Sequence, residues 1–183
     1  MQRITALTLD ASPAASRPML EAVQKKLGMI PNLFKTFSHS PAVLGYYLAG
    51  SEALGGGTLS AALREQIALV TAGENECDYC ASAHTLMGKG AGVNAAELAN
   101  NLRGRSTNAK TQAALDFAAA IISERGRVSD EQLQLVRAAG YNDAEVVEIV
   151  ANVAINIFTN YFNHIAGTVI DFPVVKSATP AHA

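Results

Sequence analysis

The chain has 183 residues, a formal net charge of −2, 6% aromatic residues and no tryptophan. That length suits one domain with a core of its own, and 14 basic against 16 acidic side chains leave no positive field to draw nucleic acid. Residues Met1 to Asp10 lack the apolar core of a secretion signal, and the longest apolar run, 146–158, is interrupted by Glu148, Asn152 and Asn156 and too short for a bilayer, so a soluble cytoplasmic protein with no membrane partner is expected.

Taken in chain order, the elements read as helices. Ser16 ahead of Pro18 opens a first helix that runs to Gly28, and Pro31 and Pro41 sit where a missing N–H costs nothing, at helix starts. A further helix carries Arg64 to Ala72 and is expected to break at Gly73–Glu76, where Asn75 and its acidic neighbours offer a cap for the next one. Asn94-x-x-Glu97, Ser129-x-x-Gln132 and Asn142-x-x-Glu145 each have the form of a capping box. Gly55 to Gly57, Gly88, Gly90, Gly92, Gly126 and Gly140 mark helix ends. Val169 to Val175, broken by Pro173, reads as an extended tail over the surface. No linker or charge run divides the chain, which gives a single all-α domain over 1–183 with eight or nine helices.

The only two cysteines, Cys77 and Cys80, stand three apart, with His84 four beyond. On a helix the three fall within roughly 60° of one another, so two thiols and a base share a face. A thiolate in the first turn of a helix is stabilised by the unpaired N–H groups there, which lowers its pKa; Glu74 and Glu76 oppose it. His84 is placed to take a thiol proton directly or through a water. Two cysteines in a reducing compartment point to catalysis or metal binding rather than a permanent disulfide. A C-x-x-C beside a βαβ pattern would indicate thioredoxin, but no strand leads into this one.

Arg64-Glu65-Gln66-Ile67-Ala68-Leu69-Val70-Thr71-Ala72, followed by Cys77-x-x-Cys80-x-x-x-His84, resembles the core of the AhpD-like alkylhydroperoxidases in the carboxymuconolactone decarboxylase-like superfamily. The core spans about Leu63 to Gly90. Gly28-Met-Ile-Pro-Asn-Leu-Phe34 and Asn160-Tyr-Phe-Asn-His164 extend the likeness to its peroxidase-related branch. The resemblance implies an all-helical subunit assembled into trimers or hexamers, acting as a peroxidase or disulfide reductase on an organic hydroperoxide, with a dithiol or protein reductant and no cofactor. Carried over residue by residue, Cys80 is the thiol that attacks peroxide, Cys77 supplies a proton and then resolves the sulfenic acid as a disulfide, and Glu65 and His84 complete a proton relay. The sequence departs from the best-known members at Tyr79, where they carry a second histidine. A phenol, with a reference pKa of about 10, is a poor base at neutral pH, though it can donate a hydrogen bond.

Laid over itself, the chain shows a weak internal duplication: Glu65 precedes His84 by the interval at which Glu145 precedes His164, with Cys77 and Cys80 opposite Ile157 and Asn160. The same late segment spaces Asn152, Asn156, Asn160 and His164 by four. Either they line the pocket or a subunit contact, with Tyr79, Asn160 and His164 as candidate pocket residues, or they form an amide ladder satisfied within the core. Tyr46, Tyr47, Phe34, Phe37 and Phe158 are expected to fill the core or an interface. Other classes stay open: zinc held by Cys77, Cys80, His84 and Glu65, which would need a distorted tetrahedron; a carboxymuconolactone decarboxylase-like lyase, against which the retained C-x-x-C argues; and a redox sensor without turnover.

Overall fold

The computed structural model describes residues 2–177. Among them lie nine helices and no strand: α1 (Arg17–Leu27), α2 (Asn32–Phe37), α3 (Pro41–Gly55), α4 (Ala61–Glu74), α5 (Asp78–Gly90), α6 (Ala95–Asn101), α7 (Ala109–Ser123), α8 (Asp130–Ala138) and α9 (Asp143–Ala166). The sequence signals for their ends mostly hold. Ser129 and Asn142 make reciprocal capping boxes with Gln132 and Glu145, Pro41 is the first residue of α3, and Gly28 stops α1 in the left-handed region at φ 76°. Asn94 makes only half of its box. It accepts from the Glu97 N–H, but the Glu97 carboxylate turns instead to Ser106, Thr107 and Asn101 and ties α6 to the loop beyond it.

α4 is the axis of the domain. Gln66 to Gly73 are all buried, which a helix shows when neighbours surround it, and α5, α6, α7 and α9 all pack on it. It joins two apolar clusters. Leu69 and Ala72 belong to one with Leu20, Phe37, Leu44, Leu98 and both cysteines, whereas Ile67 and Val70 belong to another with Leu115, Phe117, Val136, Ile149 and Val153.

Two sequence expectations need correction. Gly73 does not break α4; it lies inside the helix, where a Cβ would overlap the Leu102 carbonyl oxygen, so its lack of a side chain sets how closely α6 and its C-terminal turn approach. The internal duplication does not carry into three dimensions either. Residues 61–90 form two helices broken at 75–77, whereas their counterparts on α9 lie in one unbroken helix of 24 residues.

The segment 168–177 has no regular structure but is firmly held. The Asp171 carboxylate accepts from the Asn32 N–H (2.7 Å) and the Tyr79 hydroxyl (2.9 Å). Val175 N–H donates to Ser82 Oγ (2.9 Å), and Ser177 and Lys176 donate to Asp78 at the start of α5. The expected surface tail is therefore a strap across α2 and α5. None of the helices in the described residues is long and apolar enough to cross a membrane.

Gly73→Ala drives a methyl into a backbone carbonyl that has no rotamer to escape into. A loss of more than about 2 kcal/mol of stability is expected in urea unfolding; a variant as stable as the parent would show that α4 and α6 are not held at this spacing.

Candidate active site

Three residues turn α4 into α5. Glu76 adopts a left-handed conformation, φ 53°, rare for a residue with a Cβ, and the Cys77 N–H reaches back to the Ala72 carbonyl (2.9 Å). Cys77 thus becomes the N-cap of α5, in an extended conformation at φ −96° and ψ 94°. It does not share a helical face with Cys80 and His84, as its spacing suggests; it stands just ahead of the helix. Nor do Glu74, Asn75 and Glu76 cap α5. Asn75 closes α4, and its amide donates to the Thr71 carbonyl and to Asn160 Oδ1, both at 3.0 Å.

Cys80 follows in the first turn of α5, where the backbone N–H groups have no helical partner and favour negative charge. Both cysteines are free thiols, and both are buried, at 1% and 2% exposure. Their proton affinities are driven apart. A hydrogen bond from the Cys77 thiol is the main cause that pulls Cys80 down, to about 6; burial opposes it, while the charge of His84 and the amides of Asn163 and Asn160 assist. The same hydrogen bond, and then burial, push Cys77 far up. The pair therefore holds one proton on Cys77 and the negative charge on Cys80.

His84 is the neighbouring group whose positive charge favours the thiolate. Its Nδ1 lies 2.8 Å from Glu65 Oε2. Burial disfavours the imidazolium, but the Glu65 carboxylate outweighs it, with smaller help from Cys80 and from the Asn156 side chain, and raises the His84 pKa. Asn163 Nδ2 donates to Cys80 Sγ (3.3 Å), and the Thr159 hydroxyl oxygen lies 3.9 Å from it.

A cavity of about 200 Å3 opens beside this cluster. Cys80, His84, Tyr79 and Thr159 line it together with Leu33, Phe34, Tyr47, Phe172, Met29 and Met87. Cys77 is not part of its wall, so Cys80 is the thiol that a ligand meets. The Tyr79 ring lines the cavity, but its hydroxyl is fixed elsewhere: it donates to Asp171 and accepts from the Leu33 N–H (3.1 Å). Burial is the main reason that its pKa rises. Of the aromatics assigned to packing, Phe37 and Phe158 stack on each other at 5.3 Å, Tyr46 is largely exposed, and Phe34 and Tyr47 belong to the cavity.

The polar row on α9 is divided between two roles. Asn152 and Asn156 donate to the carbonyls of Glu148 and Asn152 (each 2.8 Å), an amide ladder, although Asn156 also bears on His84. Asn160 and Asn163 are buried beside Cys80. His164 is exposed and takes no part in the cavity wall. The neighbour that does reach the sulfur, Asn163, lies off the four-residue spacing that draws attention to His164. Cys77, Cys80, His84 and Glu65 do not converge as a metal site: among the described residues no group of three His, Cys, Asp or Glu side chains is placed to hold an ion.

The sequence profile of the carboxymuconolactone decarboxylase family matches residues 41–124. An uncharacterized peroxidase-related protein from Silicibacter sp. TM1040 superposes with a TM-score of 0.81 at 26% identity, over 92% of each chain. A Ralstonia eutropha JMP134 protein described as an alkylhydroperoxidase AhpD core gives 0.80 at 26% identity, over 93% of this chain and 94% of its own. The debrominase Bmp8, as a Cys-to-Ala variant with 2,3,4-tribromopyrrole, shares the fold with a TM-score of 0.79 at 21% identity, over 93% and 92%. No curated protein sequence gives a significant match.

Because the thiolate and not the thiol is alkylated, iodoacetamide is expected to modify Cys80 before Cys77, with a rate that rises through pH 6. Glu65→Gln removes the carboxylate that raises the His84 proton affinity, and so should move this rise to higher pH by about one unit. Site-resolved peptide mass spectrometry reads both; equal labelling of the two cysteines would reverse the assignment of the charge.

Proposed function

We propose, on the premise that this chain is an AhpD-like member of the carboxymuconolactone decarboxylase superfamily, that it is a thiol-dependent peroxidase acting on organic hydroperoxides. The observation that carries this reading is the asymmetry of the thiol pair: Cys80 opens on the cavity with its proton affinity lowered, while Cys77 lies off the cavity wall with its proton affinity raised.

In this reading the Cys80 thiolate attacks the outer peroxide oxygen, an S–O bond forms as the O–O bond breaks, and Cys80 becomes a sulfenic acid. The departing alkoxide is a stronger base than a thiolate, strong enough to take the proton from Cys77. The Cys77 thiolate then displaces hydroxide from the sulfenic sulfur to close a Cys77–Cys80 disulfide, and the hydroxide leaves as water with the proton of His84. A dithiol or protein reductant returns the two electrons. Among the described residues the walls of the cavity bear no Lys, Arg, Asp or Glu, which suits an uncharged organic substituent on the peroxide.

A second reading draws on the same cavity. Its aromatic and aliphatic lining also suits a small halogenated ring, and the debrominase that shares the fold was crystallised with a bromopyrrole. Two-electron reduction of a carbon–halogen bond would consume the same two thiols. We further place the protein in the cytoplasm as a homo-oligomer; the exposed Val147, Val150, Tyr161 and Ile165 of α9 support assembly.

Reduced protein treated with one equivalent of cumene hydroperoxide is expected to lose two titratable thiols per peroxide consumed. Cys80→Ser should lose none, and Cys77→Ser should consume one peroxide and stall. Unchanged thiols in the parent protein, with turnover of 2,3,4-tribromopyrrole instead, would favour dehalogenation. For the assembly, sedimentation equilibrium should give a mass above that of one chain, and a monomer would remove that part of the reading.

A further inference from the structure

The peroxidase cycle as derived leaves one part of the site unused. Asn160 and Asn163 lie on the buried face of α9, at 0% and 5% exposure, and each keeps one polar atom without a partner. Asn163 gives its Nδ2 to Cys80 Sγ and leaves Oδ1 free. Asn160 accepts from Asn75 through Oδ1 and leaves Nδ2 free. An unpaired buried amide atom is costly, and here two occur three residues apart beside one sulfur. One is a donor and the other an acceptor. Both atoms lie open beside the thiol, and a sulfenic acid on Cys80 brings an oxygen that accepts and a hydroxyl that donates.

We propose that Asn160 and Asn163 form an amide cradle for Cys80, in which Asn163 holds the thiolate and the free Asn160 Nδ2 and Asn163 Oδ1 receive the oxygen transferred from peroxide. Asn163 acts first, because a donated hydrogen bond stabilises a thiolate more than a thiol. The lowered proton affinity of Cys80, to which both amides contribute, agrees with this. As the S–O bond forms and the O–O bond breaks, charge passes from sulfur to the departing alkoxide, and a donor fixed in advance on the transferred oxygen draws electron density from it and holds it in line with the sulfur without reorganisation. The sulfenic hydroxyl then donates to Asn163 Oδ1. The oxygen half of the cradle rests on the peroxidase reading; the thiolate half does not.

Isosteric variants separate the two halves. Asn163→Asp removes the donor at the sulfur, and site-resolved alkylation of Cys80 by iodoacetamide should fall at least about fivefold at pH 6 and converge with the parent by pH 9, the signature of a raised thiol pKa. Asn163→Ala should shift the profile in the same direction, and thermal melts of both report folding. Asn160→Asp keeps the acceptor for Asn75 and deletes the free donor. In a Cys77→Ser background the rate of Cys80 sulfenic acid formation from cumene hydroperoxide, trapped with dimedone and divided by the iodoacetamide rate of the same variant at the same pH, should fall about tenfold or more, which separates loss of the oxygen donor from any loss of thiolate. Parental alkylation profiles in both Asn163 variants would overturn the thiolate role. An equal ratio of the two rates with and without Asn160→Asp would overturn the oxygen role. No sulfenic acid in Cys77→Ser itself would overturn the oxygen role together with the peroxidase reading, and the alkylation result would stand or fall separately.

Discussion

A sulfur anion that is 2% exposed persists only if the protein replaces the hydration it has lost, and much of this fold serves that requirement. Three groups converge on one atom: Cys77 through its thiol hydrogen bond, His84 with its proton affinity raised by Glu65 of α4, and the amides of α9. None of these is sufficient alone. His84 is partly buried, and Glu65, 2.8 Å away, raises its proton affinity, so the carboxylate, the imidazole and the thiol favour one another's charged forms across the cluster. The packing of α4 against α5 and α9 is therefore also the alignment of an electrostatic circuit.

The helices were legible because their ends are written locally. Ser129 and Asn142 find their partners three residues away, and Pro41 and Gly28 act through their own backbone preferences. Where local rules failed, a distant contact had prevailed. Gly73 has the composition of a break, yet the Leu102 carbonyl beside it, which no neighbouring residue announces, makes it a point of close approach within a continuous helix. The Glu97 carboxylate likewise left its capping box for Ser106 and Thr107. The matched Glu and His spacing of the two segments was real in the sequence and without structural meaning, since helical periodicity alone generates such coincidences.

At the site, Cys77, Cys80, His84 and Glu65 were visible as a spacing, and the structure brings them together. The conformation of Cys77 was not visible, because a left-handed Glu76 reverses the chain where a periodic reading assumes continuation. Asn163 was overlooked for a geometrical reason. Steps of four residues advance a position by about 40° around a helix, so from Asn152 to His164 the row drifts by about 120° and leaves the site. A step of eleven returns to within about 20°, which is where Asn163 stands. Following i, i+4, i+8 and i+11 would have found it. The fixed role of the Tyr79 hydroxyl had no such signal, because Asp171, its partner, lies 92 positions away on the strap.

That strap separates two kinds of inheritance within the domain. The groups that set the chemistry of sulfur come from α4, α5 and α9, which are held by the two apolar clusters. Part of the wall that a substrate meets, Phe172, comes instead from an irregular segment fastened by a few hydrogen bonds to Asn32, Tyr79, Asp78 and Ser82. Changes of length or sequence in such a segment cost little to the core. A change in the strap can thus reshape that part of the cavity wall while the surroundings of Cys80 stay intact.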